Sequence, residues 1–125
     1  MTTIEYWITS SKDDLDTARK LFEAKKYHHS LFFVHLALEK ILKAIYASKQ
    51  KQAALPIHDL VRLAQKATVE INPEVTLQLV EISTFNVAAR YDDYKFKFYK
   101  KATHEYAKKW LAIGTKLYTI FLLQI

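Results

Sequence analysis

The 125-residue sequence contains no cysteine, one glycine, two prolines and one methionine. Without cysteine the chain can form neither a disulfide nor a thiolate metal site, which fits a reducing compartment. With so little glycine and proline it lacks the closely spaced turn signals of a β-sandwich or β-barrel. A single glycine also excludes a glycine-rich phosphate-binding loop. The composition therefore predicts long helices joined by few connections.

The sequence also lacks any apolar stretch near the ~20 residues that span a bilayer, and its first ten residues do not resemble a signal peptide. We expect a cytoplasmic protein without membrane contact, forming one domain over residues 1–125. Lysine and arginine number 19 against 13 acidic residues, which gives a net charge of +6. This excess favours a polyanionic partner such as RNA, DNA or an acidic protein surface.

Hydrophobic periodicity predicts a bundle of four long helices and one short helix. The long helices are expected over residues 3–25, 27–49 and 73–89 and after residue 103, and the short one over residues 58–68. Thr2, Asn72 and Thr103 are predicted to cap helix N-termini. Residues 91–101 interrupt the helical pattern and are predicted to form an exposed connection. Gly114, inside the last helix, is expected to permit close approach of a neighbouring helix.

The second helix is apolar on opposite sides, since Phe32, Phe33 and Leu36 lie away from its core stripe. The C-terminal run Ile120–Leu123 also exceeds what one face of a small bundle can cover. Contiguous apolar surface of this kind usually marks an interface. We therefore expect a two-fold homodimer.

Two interpretations of the histidines remain open. His28, His35 and Glu39 could bind zinc, because imidazole and carboxylate groups are zinc ligands. The seven-residue separation of the histidines is too wide for a two-ligand clamp on one helix, which uses i,i+4 spacing. We favour a structural role, with His35 hydrogen-bonded beside the core and Glu39 paired with Lys43. We expect no metal and no cofactor.

A basic segment rich in aromatic residues follows Arg90 and is the best binding candidate. Lysines there alternate with tyrosine and phenylalanine, a combination that can neutralise phosphates and stack bases. The candidate nucleic-acid or nucleotide contacts are Arg90, Tyr91, Lys95, Lys97, Lys100, Lys101 and Lys43. The alternative is that the rings pack inward, the lysines are only solvated, and Arg90 pairs with an acidic side chain (Asp92, Asp93 or Glu39).

Short signatures along nearly the whole chain make it resemble a HEPN domain (higher eukaryotes and prokaryotes nucleotide-binding domain). Trp7 and Asp14 match on the first helix, and the stretch Leu36–Ala44 matches on the second. His58-Asp59-Leu60 and Ala89-Arg90-Tyr91 follow in the expected order. The resemblance implies an all-α, antiparallel four-to-five helix bundle, usually a prokaryotic homodimer. It also implies association with a minimal nucleotidyltransferase, often in a toxin–antitoxin module.

Catalytic relatives in the wider superfamily are metal-independent ribonucleases with an Arg-x4-6-His motif. If Arg90 is the motif arginine, the histidine should lie at position 95, 96 or 97, where this chain has lysine, phenylalanine and lysine. We therefore expect binding to RNA, a nucleotide or a nucleotidyltransferase partner, with weak or absent ribonuclease activity. The rival hypothesis is an active endoribonuclease toxin that uses Arg90 with His104, the nearest downstream histidine. A purely structural adaptor is a third possibility.

Overall fold

Six helices account for most of the described residues. The computed structural model describes residues 1–51, 56–88 and 92–125, and the side chains of these residues except 87–88 and 92–95. The helices are α1 (Thr3–Glu23), α2 (Tyr27–Gln50), α3 (Leu60–Lys66), α4 (Pro73–Ala88), α5 (Asp92–Lys101) and α6 (His104–Leu122). The predicted all-α bundle is confirmed.

Helices α1, α4 and α6 begin where the sequence predicts, because polar side chains cap their first turns. Thr2 and Glu5 form a reciprocal capping box at the start of α1. The Asn72 side chain accepts from the Val75 N–H at 2.8 Å, and Thr103 accepts from the N–H of the third residue of α6 at 3.2 Å. These bonds satisfy N–H groups that the helices themselves leave unpaired.

α2 lies at the centre of the bundle, in contact with all five other helices. α1 and α6 run antiparallel, because Ser11 lies 2.7 Å from the Tyr118 hydroxyl while the Phe22 and His104 rings are 5.3 Å apart. The three-residue turn between α1 and α2 reverses the chain, so α2 and α6 run in the same direction. Its central position explains why α2 is apolar on nearly every side.

Phe32, Phe33 and Leu36 on α2, which we expected to form an apolar surface, are half-buried. Phe33 packs against the core. The most exposed large apolar side chains among the described residues lie on other helices and at the two termini: Met1, Tyr6 on α1, Leu77 and Val80 on α4, Phe96 and Tyr99 on α5, and Leu123 after α6.

The predicted exposed connection over residues 91–101 is wrong, because residues 92–101 form helix α5. Phe98 is buried and its ring packs 5.4 Å from that of Phe85 on α4. Ala102, four residues later, is buried as well. This i,i+4 pair anchors the segment to the bundle. The alternation of lysine and phenylalanine over residues 95–98 concealed the helical spacing.

Candidate functional site

Two of the sequence signatures, Leu36–Ala44 and His58-Asp59-Leu60, meet around the carboxylate of Glu39. Nδ1–H of His58 donates to Glu39 Oε1 at 2.8 Å, and the Lys43 ammonium donates to Oε2 at 3.1 Å. His35 Nε2 lies 3.9 Å from Oε1 and 3.0 Å from the backbone oxygen of His58. The predicted pairing of Glu39 with Lys43 is therefore confirmed, as is the buried, hydrogen-bonded position of His35.

Glu39 remains ionised although it is only 5% exposed. Burial would raise the pKa of this carboxyl and is the largest single influence on it. The hydrogen bond from His58 and the charges of His35 and Lys43 together outweigh burial, so the pKa is lowered. A buried carboxylate that retains its charge because of its partners is a structural anchor for all of them.

Two more signature residues extend this network to α1. The Lys40 ammonium lies 2.7 Å from the Asp14 carboxylate and donates to the Ser10 hydroxyl, also at 2.7 Å. The Lys43 ammonium lies 5.5 Å from the centre of the Trp7 ring, in cation–π distance. The polar side of α2 thus fixes α1 by charge as well as by apolar packing.

The His58-Asp59-Leu60 motif connects the network to α3 and α4. His58 binds Glu39, and Asp59 caps α3 by accepting from the Arg62 N–H at 3.2 Å. Leu60 is fully buried, and its N–H donates to the Ser83 hydroxyl of α4 at 3.1 Å. Each residue of the motif therefore has a defined structural contact.

The network differs from both sequence-based interpretations of these residues. Glu39 contacts His58, which neither the zinc hypothesis nor the structural hypothesis included. Within the described residues, no three His, Cys, Asp or Glu side chains are grouped as a metal site requires. Lys43, a candidate nucleic-acid contact, is buried and paired with Glu39. We therefore leave Lys43 out of the candidate site.

The other candidate lysines lie on α5, where exposed rings and lysines share one surface. Phe96 is 72% exposed and Tyr99 is 64% exposed. Lys97 and Lys100 are exposed as well. On a helix, residues 96, 99 and 100 lie on one face, with residue 97 beside it. We call Phe96, Lys97, Tyr99 and Lys100 the α5 face.

Lys101, the last residue of α5, forms an ion pair and a contact with an aromatic ring. Its ammonium lies 2.8 Å from the Glu81 carboxylate and 5.3 Å from the centre of the Tyr106 ring. Tyr106 also donates a hydrogen bond to Glu81. Burial would raise the pKa of Glu81, but the hydrogen bonds from Lys101 and Tyr106 lower it. Lys101 therefore has a structural partner that ties α5 to α4.

The catalytic candidates are only partly described. His104 opens α6, with its ring near Phe22 and Tyr27 and its Nδ1 3.2 Å from a Glu105 oxygen. Arg90 and Tyr91 lie outside the described residues, as does the side chain of Lys95. The pairing of Arg90 with His104 accordingly stays a rival hypothesis.

Comparison with known proteins identifies the family. The model of the HEPN domain matches residues 4–124, nearly the whole chain. This protein belongs to the HEPN domain family. The crystal structure of TT1696 from Thermus thermophilus matches the HEPN chain with a TM-score of 0.85 and 15% identity, over 100% of both chains. That likeness concerns the fold alone. No curated protein matches the sequence.

None of the helices within residues 1–51, 56–88 and 92–125 combines the length and the apolar character that crossing a bilayer requires.

Proposed function

We propose that this HEPN protein binds single-stranded RNA through the α5 face and acts as a homodimer. The observation that supports this most is the exposure of Phe96 and Tyr99 beside Lys97 and Lys100. Large rings are normally buried, so two exposed rings on one helical face favour a binding role. The net charge of +6 gives the whole molecule the sign that attracts a polyanion.

The chemistry of the α5 face suits a flexible nucleic-acid strand. Its two ammonium groups can neutralise phosphates and release the counterions bound there. Its rings can stack on unpaired bases, which contributes about 1–3 kcal/mol per base. A duplex keeps its bases paired and stacked, so the rings would have no partner there. A single strand is therefore the preferred ligand.

Replacing both Lys97 and Lys100 by alanine should weaken RNA binding at every sequence. Loss of two phosphate contacts should also reduce the slope of log affinity against log salt by about 1.4, since each contact to a single strand contributes about 0.7. Fluorescence anisotropy with a labelled single strand across a salt series measures both effects.

The matched control for that experiment replaces Lys12 and Lys66, which are also exposed, by alanine. It removes the same formal charge from other helices. An equal loss of slope in the control would show that RNA responds to net charge rather than to the α5 face.

Catalysis is the rival function. Ribonuclease chemistry of the superfamily type needs a group that exchanges a proton near neutral pH, a task that imidazole suits. The motif positions offer lysine and phenylalanine instead. Stabilisation of the phosphate by Arg90 without proton transfer should forfeit a factor of roughly 10²–10⁴ in rate.

We accordingly expect no robust cleavage when the purified protein is incubated with labelled total RNA. Gel analysis with and without a chelator checks this. Chelator-resistant cleavage that disappears in both Arg90→Ala and His104→Ala would establish the endoribonuclease hypothesis in its place.

The homodimer proposal rests on a groove between α4 and α6. The groove has a volume of about 600 Å³, and its apolar lining includes Val75, Trp110, Ile113 and Ile120. Glu74 lies on the α4 side, and the α6 side carries two lysines, Lys109 and Lys116. In a two-fold arrangement the acidic side of one copy can face the basic side of the other. A second copy of the chain therefore fits this groove in both polarity and charge.

Changing Ile120 to arginine should convert the dimer to a 14.6 kDa monomer. The side chain lines the groove and is 40% exposed, so the substitution adds charge to the interface with little effect on the core. Sedimentation velocity measures the mass, and Tyr6→Arg, at an exposed position on α1, is the control. A wild-type monomer at micromolar concentration would contradict the proposal.

We further propose a minimal nucleotidyltransferase as the protein partner, in a toxin–antitoxin type of module. Family membership is the support for this step. If the gene beside that of the HEPN protein encodes a nucleotidyltransferase, the two proteins should co-purify when expressed together. Failure of such a pair to associate would remove the proposal.

A further inference from the structure

The His58 imidazole is held by a buried carboxylate and is itself open to solvent. Glu39 is ionised and can only accept hydrogen bonds, so the hydrogen between Glu39 Oε1 and His58 Nδ1, which are 2.8 Å apart, lies on Nδ1. The His58 side chain is 48% exposed, against 6% for that of Glu39. Within the described residues, His58 Nε2 takes part in no hydrogen bond or ion pair. In the neutral ring, an accessible lone pair therefore lies on Nε2.

The backbone that carries this ring is fixed as well. The carbonyl oxygen of His58 can only accept, so His35 donates to it through Nε2–H at 3.0 Å. Two residues later, the Leu60 N–H donates to the Ser83 hydroxyl on α4 at 3.1 Å. The imidazole is thus attached to α2 through Glu39 and His35, and to α4 through Ser83. A group held at several points keeps one orientation toward solvent.

The other four histidines have different surroundings. His35 is fully buried. The His28 and His29 rings lie against each other, with centres 3.9 Å apart. His104 lies 3.2 Å from Glu105, whose side chain is 87% exposed, so solvent screens that pair. None of these contacts within the described residues combines an accessible ring nitrogen with a buried carboxylate.

A carboxylate bound to Nδ1 makes the opposite nitrogen of an imidazole a better nucleophile. It fixes the tautomer, orients the ring and stabilises the positive charge that the ring gains when Nε2 forms a bond. Histidine is among the side chains that form covalent intermediates. Because Nδ1 keeps its hydrogen throughout, no separate base has to remove a proton from the ring. The Glu39–His58 pair therefore has the parts that transfer of a group to Nε2 requires.

We propose that His58 is an acceptor site for a phosphoryl group from a phosphoramidate or acyl phosphate donor. Nε2 attacks phosphorus and forms the Nε2–P bond while the donor's P–N or P–O bond breaks. The leaving group keeps the electron pair of that bond and departs as ammonia from a protonated phosphoramidate or as carboxylate from an acyl phosphate. The ring then carries a positive charge, which Glu39 stabilises.

Charge favours a phosphoryl donor over a neutral acyl donor. Phosphoramidates and acyl phosphates are anions, and the chain has a net charge of +6 that attracts them. The acceptor nitrogen is on the surface, so the transferred group can remain in solvent and the core need not open. The proposal does not depend on RNA binding by the α5 face.

Incubation of the purified protein with phosphoramidate, a small phosphoryl donor, tests the proposal. Mass spectrometry of peptides prepared at alkaline pH identifies the modified histidine, and phosphorus NMR distinguishes the Nε2 isomer from the Nδ1 isomer. We expect His58 to react about tenfold faster than the exposed His29, and at Nε2 alone, because Glu39 occupies Nδ1. His58→Ala should abolish the fast reaction, and the matched control His29→Ala should keep it.

Glu39→Gln tests the positioning role of the carboxylate. Glutamine can still accept from Nδ1–H but has no charge, so phosphorylation of His58 should slow by roughly 10–100-fold, the usual effect of losing a carboxylate that orients a histidine. Lys43→Met is the control, because it disturbs the same buried network at the other carboxylate oxygen and leaves the Glu39–His58 bond in place. Circular dichroism at the reaction temperature establishes that both variants are folded.

Three results would overturn the proposal. The first is an equal rate at His58 and His29 in the wild-type protein, and the second is a mixture of the two isomers at His58. Both are measured without any substitution, so they decide the proposal even if Glu39→Gln does not fold. The third is an unchanged rate in folded Glu39→Gln, which would give the carboxylate a structural role only.

Discussion

Replacing Glu39 by alanine should lower the free energy of unfolding by about 3–5 kcal/mol, because it leaves the buried ammonium of Lys43 without its counter-charge. The Lys43 side chain is 8% exposed and lies 3.1 Å from the carboxylate. His58 loses its hydrogen-bond acceptor in the same variant. Urea denaturation followed by circular dichroism measures the change.

The chain contains a matched control for this experiment. Asp16 and Lys20 are also four residues apart on a helix, and their charged atoms are also 3.1 Å apart. Their side chains are 55% and 75% exposed, so solvent screens the pair. Asp16→Ala should leave stability unchanged within error. Equal effects of Asp16→Ala and Glu39→Ala would show that burial of the Glu39 network contributes nothing.

Glu39 also makes the stability of the folded protein depend on pH. Its pKa in the folded protein lies below the usual 4.5, so folding favours the ionised form. The resulting stabilisation is fully present above about pH 4.5 and is lost as the pH falls through the lower, folded-state pKa. Glu39→Gln should be less stable than wild type at neutral pH, and the difference should shrink below pH 4.5. A constant difference would argue against this assignment.

Local signals explain which parts of the fold were predictable. The caps at Thr2, Asn72 and Thr103 act within three residues, so the sequence alone determines where those helices begin. Helix α5 was missed for the opposite reason. Its buried ring, Phe98, becomes recognisable as a core residue only when Phe85 of α4 lies against it.

In the Glu39 network, too, contacts between residues near in sequence were predictable, and contacts that depend on tertiary packing were not. Glu39 and Lys43 are one helical turn apart, and their pairing follows from spacing. Glu39 and His58 are separated by 19 residues, and only the packing of the segment before α3 against α2 brings them together.

Gly114 provides a second prediction with a large expected effect. It lies on α6 against α2, and an added Cβ would lie 2.4 Å from a Val34 methyl carbon. Val34 is fully buried and β-branched, so its side chain has little freedom to move away. The predicted role of this glycine in close helix approach is thereby confirmed. Gly114→Ala should destabilise the protein by about 1–3 kcal/mol, the usual cost of overpacking.

Whether Gly114→Ala lowers or raises stability is informative, because the higher helix propensity of alanine acts against the cost of overpacking. Alanine is favoured over glycine in a helix by about 1 kcal/mol. Ala112→Gly, at an exposed position two residues away, measures this propensity on the same helix. Adding Val34→Ala to Gly114→Ala removes the clashing methyl groups, so the double variant should be more stable than the sum of the single changes predicts. Strict additivity, or a stabilised Gly114→Ala, would mean that α2 and α6 can separate without cost and that the glycine does not set their distance.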